Sequence, residues 1–120
     1  MPNSYQVGSA DQRPWGSWEV LAVGPNYIVK RIHVLPHKKL SLQSHHFRSE
    51  HWIMVSGVGS VTLDESVREV RANESVYIEK EQKHRMENAS DEPLTFIEVQ
   101  TGDMLDEADI VRYQDDYGRV

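Results

Sequence analysis

The run Leu40-Ser41-Leu42-Gln43-Ser44-His45-His46-Phe47-Arg48-Ser49-Glu50-His51-Trp52-Ile53-Met54-Val55 decides how this sequence is read. It divides into two β-rich pieces, 40–45 and 50–55, on either side of a short turn. Side chains alternate faces along a strand, so Gln43 and His45 point the same way. The chain then reverses and Glu50 opens the next strand. Gln43, His45 and Glu50 therefore converge from two neighbouring strands, and His84, at the start of a later run, closes the group from across the fold. Imidazole, carboxylate and amide oxygen together suit one divalent ion of the zinc, cobalt, manganese, nickel or iron group. Four protein ligands leave room for water or substrate beside such an ion.

Outward from this stretch the pattern repeats. Short runs at 17–23, 27–35, 60–63, 67–71, 75–78, 84–87 and 94–100 are separated by turn residues such as Gly24-Pro25-Asn26 and Asp64-Glu65-Ser66. No amphipathic helix of ordinary length interrupts them, and acidic Asp106 to Asp109 could begin at most one helical turn. This predicts an all-β sandwich or barrel. Residues 1–12 are polar and read as an N-terminal arm, 13–120 as one domain. The tail at 109–120 mixes Ile110, Val111, Tyr113 and Tyr117 with charges and is expected to pack back onto the barrel.

Composition narrows the function classes. The 120 residues carry 13 Lys plus Arg against 19 Asp plus Glu, a formal charge of −6, which disfavours nucleic-acid binding. The chain holds no cysteine, which removes disulfides, thiolate catalysis and Cys-type zinc sites. Neither a secretory leader nor a membrane span is visible, so a soluble cytoplasmic protein is the default expectation.

The spacing His37, Gln43, His45, Glu50, Gly57 resembles the first cupin motif, G-x5-H-x-H-x(3,4)-E-x6-G. The second cupin motif, G-x5-P-x-G-x2-H-x3-N, is matched by Asn73, Glu79, Glu81, His84 and Asn88. His37 and Asn73 replace glycines, Glu79 and Glu81 replace the turn-forming Pro and Gly, and Gln43 replaces the usual first histidine. Within the cupins, SLQSHHFRSEHW resembles the SLQ-x-HHHR-x-EHW run of type II mannose-6-phosphate isomerases. Further similarity lies in Arg13-Pro14-Trp15-Gly16, Val29-Lys30-Arg31-Ile32, His84-Arg85-Met86-Glu87-Asn88 and Asp109-Ile110-Val111-Arg112.

The resemblance implies a cupin double-stranded β-helix, a jelly-roll barrel, holding one divalent metal on Gln43, His45, Glu50 and His84. It implies interconversion of mannose 6-phosphate and fructose 6-phosphate by proton transfer through a cis-enediol. For the base, Glu98 stands out as one acid in the largely apolar alternation Leu94, Phe96, Glu98, Gln100, with His46 and His51 as alternatives. The phosphate seat needs cations, and Arg48, Arg85, Arg112 and Arg119 are the candidates. Trp18 and Trp52 are expected in the core, and Trp15 at a homodimer seam by analogy with other cupins. In many relatives of this type the cupin follows a guanylyltransferase domain with a Gly-rich loop. No such loop occurs here, so guanylyl transfer is not expected of these residues. The competing reading is a non-catalytic cupin that binds a sugar or sugar phosphate as a sensor or accessory subunit.

Overall fold

Alternating inward and outward side chains build the strands. In Tyr27–Val34 (β3) the side chains of Ile28, Lys30, Ile32 and Val34 are buried, and in Leu94–Thr101 (β11) those of Leu94, Phe96, Glu98 and Gln100. A computed structural model of the chain describes residues 5–116. Among them the remaining strands are β1 (Ala10–Arg13), β2 (Gly16–Val23), β4 (Lys38–Lys39), β5 (Leu42–Ser44), β6 (Ser49–Ser56), β7 (Val58–Leu63), β8 (Ser66–Arg71), β9 (Ser75–Ile78), β10 (His84–Asn88) and β12 (Val111–Gln114). No helix forms among the described residues. At the predicted helical start the Asp109 N–H donates to the Asp106 carbonyl at 3.0 Å, closing a turn that is not continued.

The strands make two antiparallel sheets. One runs β1-β2-β3-β11-β6-β9, the other β12-β5-β10-β7-β8 with β4 beside β10. Their inner faces meet in a core that joins Ile32, Trp52 and Phe96 of the first sheet to Val61, Val70 and Met86 of the second. A second cluster of Tyr5, Val20, Ile28 and Leu105 closes one side. Tyr5 and β1 bring the described part of the N-terminal segment onto the barrel, Tyr5 as core and β1 paired to β2. Trp15, expected at a dimer seam, is instead buried in the core of the single chain. The tail returns as β12, which pairs with β5.

Register sets what faces the interior. Across the first sheet, Val20, Lys30, Glu98, Trp52 and Val76 stand in one transverse row. The adjacent row is Ile28, Gln100, Glu50 and Ile78. In a β-sheet such neighbours touch, so two acids, an amide, a lysine and an indole are forced together. On the second sheet Gln43 stands opposite His84.

The turns keep the backbone that the cupin glycines would take. His37, Asn73 and Glu81 all lie in the left-handed region, at φ 61°, 72° and 67°. These three turns therefore take a conformation that glycine adopts without strain. Gly57 remains glycine for a packing reason as well: at φ 86°, a Cβ there would lie 2.7 Å from the Leu94 Cβ.

Candidate metal centre

His45 leaves β5, Glu50 enters β6 and His84 opens β10, so the group sits between the two sheets. One potential ligand atom from each lies within 4.8 Å of the others, and all three side chains are buried. His45 Nδ1 contacts the Asp109 carbonyl at 2.6 Å, and His84 Nδ1 the Gln82 carbonyl at 2.8 Å. A carbonyl can only accept, so both Nδ1 atoms carry protons and, in the neutral rings, both Nε2 lone pairs are left for the interior. Those atoms face Glu50: His45 Nε2 is 3.3 Å from Oε2, and His84 Nε2 is 3.8 Å from Oε1.

Protonation follows from burial and charge. Burial lowers the His45 pKa to about 4 against the opposing pull of Glu50, and it lowers His84 in the same way. Burial alone would raise Glu50, but Arg48, His84 and His45 reverse this and hold the carboxyl well below its usual range. Two neutral imidazoles and one carboxylate thus aim electron pairs at one point. Such an N, O, N donor set could hold a zinc-like divalent ion. Here Arg48 supplies positive charge, donating from Nε to Glu50 Oε2 at 2.8 Å and from Nη2 to His45 Nε2 at 3.1 Å.

Behind Glu50 lies a second polar layer. The Trp52 indole N–H donates to Glu50 Oε1 at 2.9 Å and to Glu98 Oε1 at 3.1 Å, and Gln100 Nε2 donates to Glu98 Oε2 at 2.8 Å. Burial, then the Glu50 charge, pushes the Glu98 pKa up to about 7. The Gln100 Oε1 is buried with no hydrogen-bond partner.

Next to the centre is a cavity of about 320 Å³, lined by Gln43, Arg48, Glu98 and Arg112 together with Lys30 and Trp18. The expected residues separate here. Gln43 lines the cavity beside His84 and donates to Ser41 Oγ at 3.0 Å. Arg48 lines it too, but its guanidinium turns inward onto Glu50 and His45. Arg85 is held by the Leu40 carbonyl and the Gln114 side chain, away from the cavity lining. His46 is exposed and pairs with Glu81 at 3.3 Å, and His51 stacks on Tyr77 at the outer face. Arg119 lies outside the described residues. Lys30 was not singled out from the sequence, although it breaks the apolar alternation Ile28, Ile32, Val34 just as Glu98 breaks that of β11.

Comparison with known proteins follows the same lines. Residues 2–115 match the family described as mannose-6-phosphate isomerase C-terminal. The chain belongs to this family. Its curated relatives include the mannose-1-phosphate guanylyltransferase of Escherichia coli K12, 46% identical over 98% of the chain and 25% of that protein. The xanthan biosynthesis protein XanB of Xanthomonas campestris is 50% identical over 90% of the chain and 23% of its own length. The alginate biosynthesis protein AlgA of Pseudomonas syringae is 50% identical over 89% and 22%. The chain thus spans about a quarter of these relatives. Solved structures agree on the fold: CapF bound to an inhibitor (TM-score 0.76, 23% identity, 92% of this chain and 35% of that one) and a double-stranded β-helix protein of Klebsiella pneumoniae (TM-score 0.71, 18% identity, 81% and 83%).

These relatives correct the functional expectation. The Escherichia coli relative is an enzyme named for guanylyl transfer to mannose 1-phosphate and the other two are named for xanthan and alginate biosynthesis, so an isomerase of mannose 6-phosphate and fructose 6-phosphate is not what they support. The resemblance read from the sequence identified the cupin family and its mannose context but carried over an activity that the relatives' names do not bear. No described helix is long and apolar enough to cross a membrane.

Proposed function

We propose that this chain is a metal-loaded cupin module that binds a phosphorylated mannose, in support of mannose 1-phosphate activation of the kind its relatives are named for. The observation that carries this reading is the grouping of two buried imidazoles and the Glu50 carboxylate, beside a cavity whose lining holds Arg13, Lys30, Arg48 and Arg112 against Glu98 and Glu107. His45, Glu50 and His84 would hold the ion, with Gln43 next to them. The ion would supply a Lewis acid for sugar hydroxyl or phosphate oxygens. The rest belongs to the protein: Asp109 and Gln82 fix the imidazole tautomers, Trp52 orients Glu50 and Glu98, and the surrounding core keeps water out.

A cavity of this size sits at the lower end of those that take small ligands, which suits a hexose phosphate better than a nucleotide sugar. The test is calorimetric titration of chelator-stripped protein, first with zinc, cobalt, manganese or nickel, then with mannose 1-phosphate and with mannose. One ion per chain and metal-dependent preference for the phosphorylated sugar are expected. Failure of every metal to bind, or equal binding of both sugars by loaded protein, would refute the reading.

A further inference from the structure

Lys30 takes no part in the metal centre, yet its setting is unusual for a lysine. Its side chain is buried on the inner face of β3, with Nζ 4.1 Å from the Tyr5 ring centroid and 4.4 Å from that of Trp18. The two rings stand edge to face, 5.9 Å apart at 88°, and form two walls around the ammonium. Among the described residues the Lys30 ammonium forms no ion pair, and its contacts are these two rings. Its cross-strand neighbour Glu98 commits both carboxylate oxygens to Trp52 and Gln100. Aromatic faces attract a cation but offer no acceptor for its three N–H groups. Burial disfavours the charged form of Lys30, against the pull of the Glu98 carboxylate, so an anion beside Nζ would hold the ammonium charged.

Lys30 lines the cavity with Tyr5 and Trp18. That wall is cationic: Arg13, Lys30, Arg48 and Arg112 face Glu98 and Glu107. Of the arginines, Arg48 is already bound to Glu50 and His45. We propose that Lys30 is the residue that reads the anion, its ammonium, aimed by Tyr5 and Trp18, taking a phosphate oxygen of the bound ligand. A compact, strongly hydrated point charge suits a terminal phosphate, which carries close to two negative charges near pH 7. A neutral sugar makes no such contact. This deepens the sugar-phosphate reading and rests on it for the identity of the ligand, whereas the anion seat itself is defined by Lys30.

The experiment has two arms on metal-loaded protein. Inorganic phosphate, followed by ³¹P NMR, tests the seat alone; mannose 1-phosphate against mannose, followed by calorimetry, tests the ligand. Lys30→Met is expected to weaken both phosphate probes by roughly tenfold or more, as befits removal of a charge-assisted hydrogen bond, while leaving metal and mannose binding unchanged. Lys30→Arg should restore much of the affinity. In the wild-type protein the ¹⁵N resonance of the Lys30 ammonium should move when phosphate is added, a readout that stands even where the Met variant misfolds. Unchanged phosphate affinity in a folded Lys30→Met, or a still ammonium resonance at saturation, overturns the proposal. If Lys30 responds to inorganic phosphate but mannose 1-phosphate binds no better than mannose, the seat stands and the sugar-phosphate reading falls.

Discussion

Replacing Glu98 by Gln should change the pH dependence of stability in a way that can be calculated. Burial and the Glu50 charge raise the Glu98 pKa from 4.5 to about 7 in the folded protein. The folded state therefore binds this proton more readily than the unfolded state. The stability associated with it is fully present below pH 4.5 and is lost as the pH rises through about 7. At roughly 1.36 kcal/mol per unit, the 2.5-unit difference corresponds to about 3 kcal/mol. Gln keeps the shape of the protonated acid and carries no charge at any pH. The variant and the wild type should thus be nearly equal in stability near pH 4.5, and the variant about 3 kcal/mol more stable above pH 8. Urea unfolding followed by tryptophan fluorescence, with chelator present at each of several pH values between 5 and 8, measures the difference directly. A difference that stays flat across that range, or grows as the pH falls, would refute the account of Glu98.

Other consequences are as direct. His45→Ala or Glu50→Ala should abolish tight metal binding, and adding chelator to loaded wild type should remove the stabilisation that bound metal gives, about 2.7 kcal/mol at a hundredfold excess over Kd, seen as a lower Tm. His45, with its pKa lowered from 6.5 to about 4, makes the metal-free protein less stable as the pH falls below 6.5, by up to about 1.4 kcal/mol per unit down to pH 4; His45→Gln should flatten that limb of the pH–stability curve. Glu81→Gly should stabilise by ~0.5–1 kcal/mol in chemical unfolding, since φ 67° suits glycine and the ion pair that Glu81 makes with His46 is exposed to solvent. Gly57→Ala should cost about 2 kcal/mol or more, because its backbone is left-handed and the new methyl meets Leu94; equal midpoints would show that the turn can relax.

Strands with one buried face were legible in the sequence. The alternation Leu94, Phe96, Glu98, Gln100 is the β11 observed, and the expected connection Asp64-Glu65-Ser66 is a link of Asp64-Glu65, with Ser66 already in β8. For β1 the sequence left an arm and a loose first strand equally open, because Ala10–Arg13 is exposed throughout and pairs through its backbone, which leaves no pattern in side-chain polarity. At the site, His45 and Glu50 could be grouped from spacing, since two strands and a turn bring them together, whereas His84 on the distant β10 was fixed by the cupin resemblance. Arg48 could not be placed: a turn residue has no periodicity to fix its direction, and its guanidinium went to the nearest buried carboxylate. Lys30 was legible in principle by the rule that exposed Glu98, a charge on an otherwise apolar strand face. Trp15 illustrates the limit, because no local pattern tells a core tryptophan from an interface one.

Asp109 ties the C-terminal segment to the metal centre through a single residue. Its carboxylate accepts the N–H groups of His46 and Phe47 at 2.8 and 2.9 Å, and its carbonyl accepts His45 Nδ1–H at 2.6 Å. The loop between β5 and β6 and the docking of the tail are therefore two ends of one equilibrium. An ion held by His45 would be bound more tightly with the tail seated, and by reciprocity it would hold the tail down. Metal occupancy would thereby be coupled to how firmly the C-terminal segment is held at the surface, which limited proteolysis with and without metal measures.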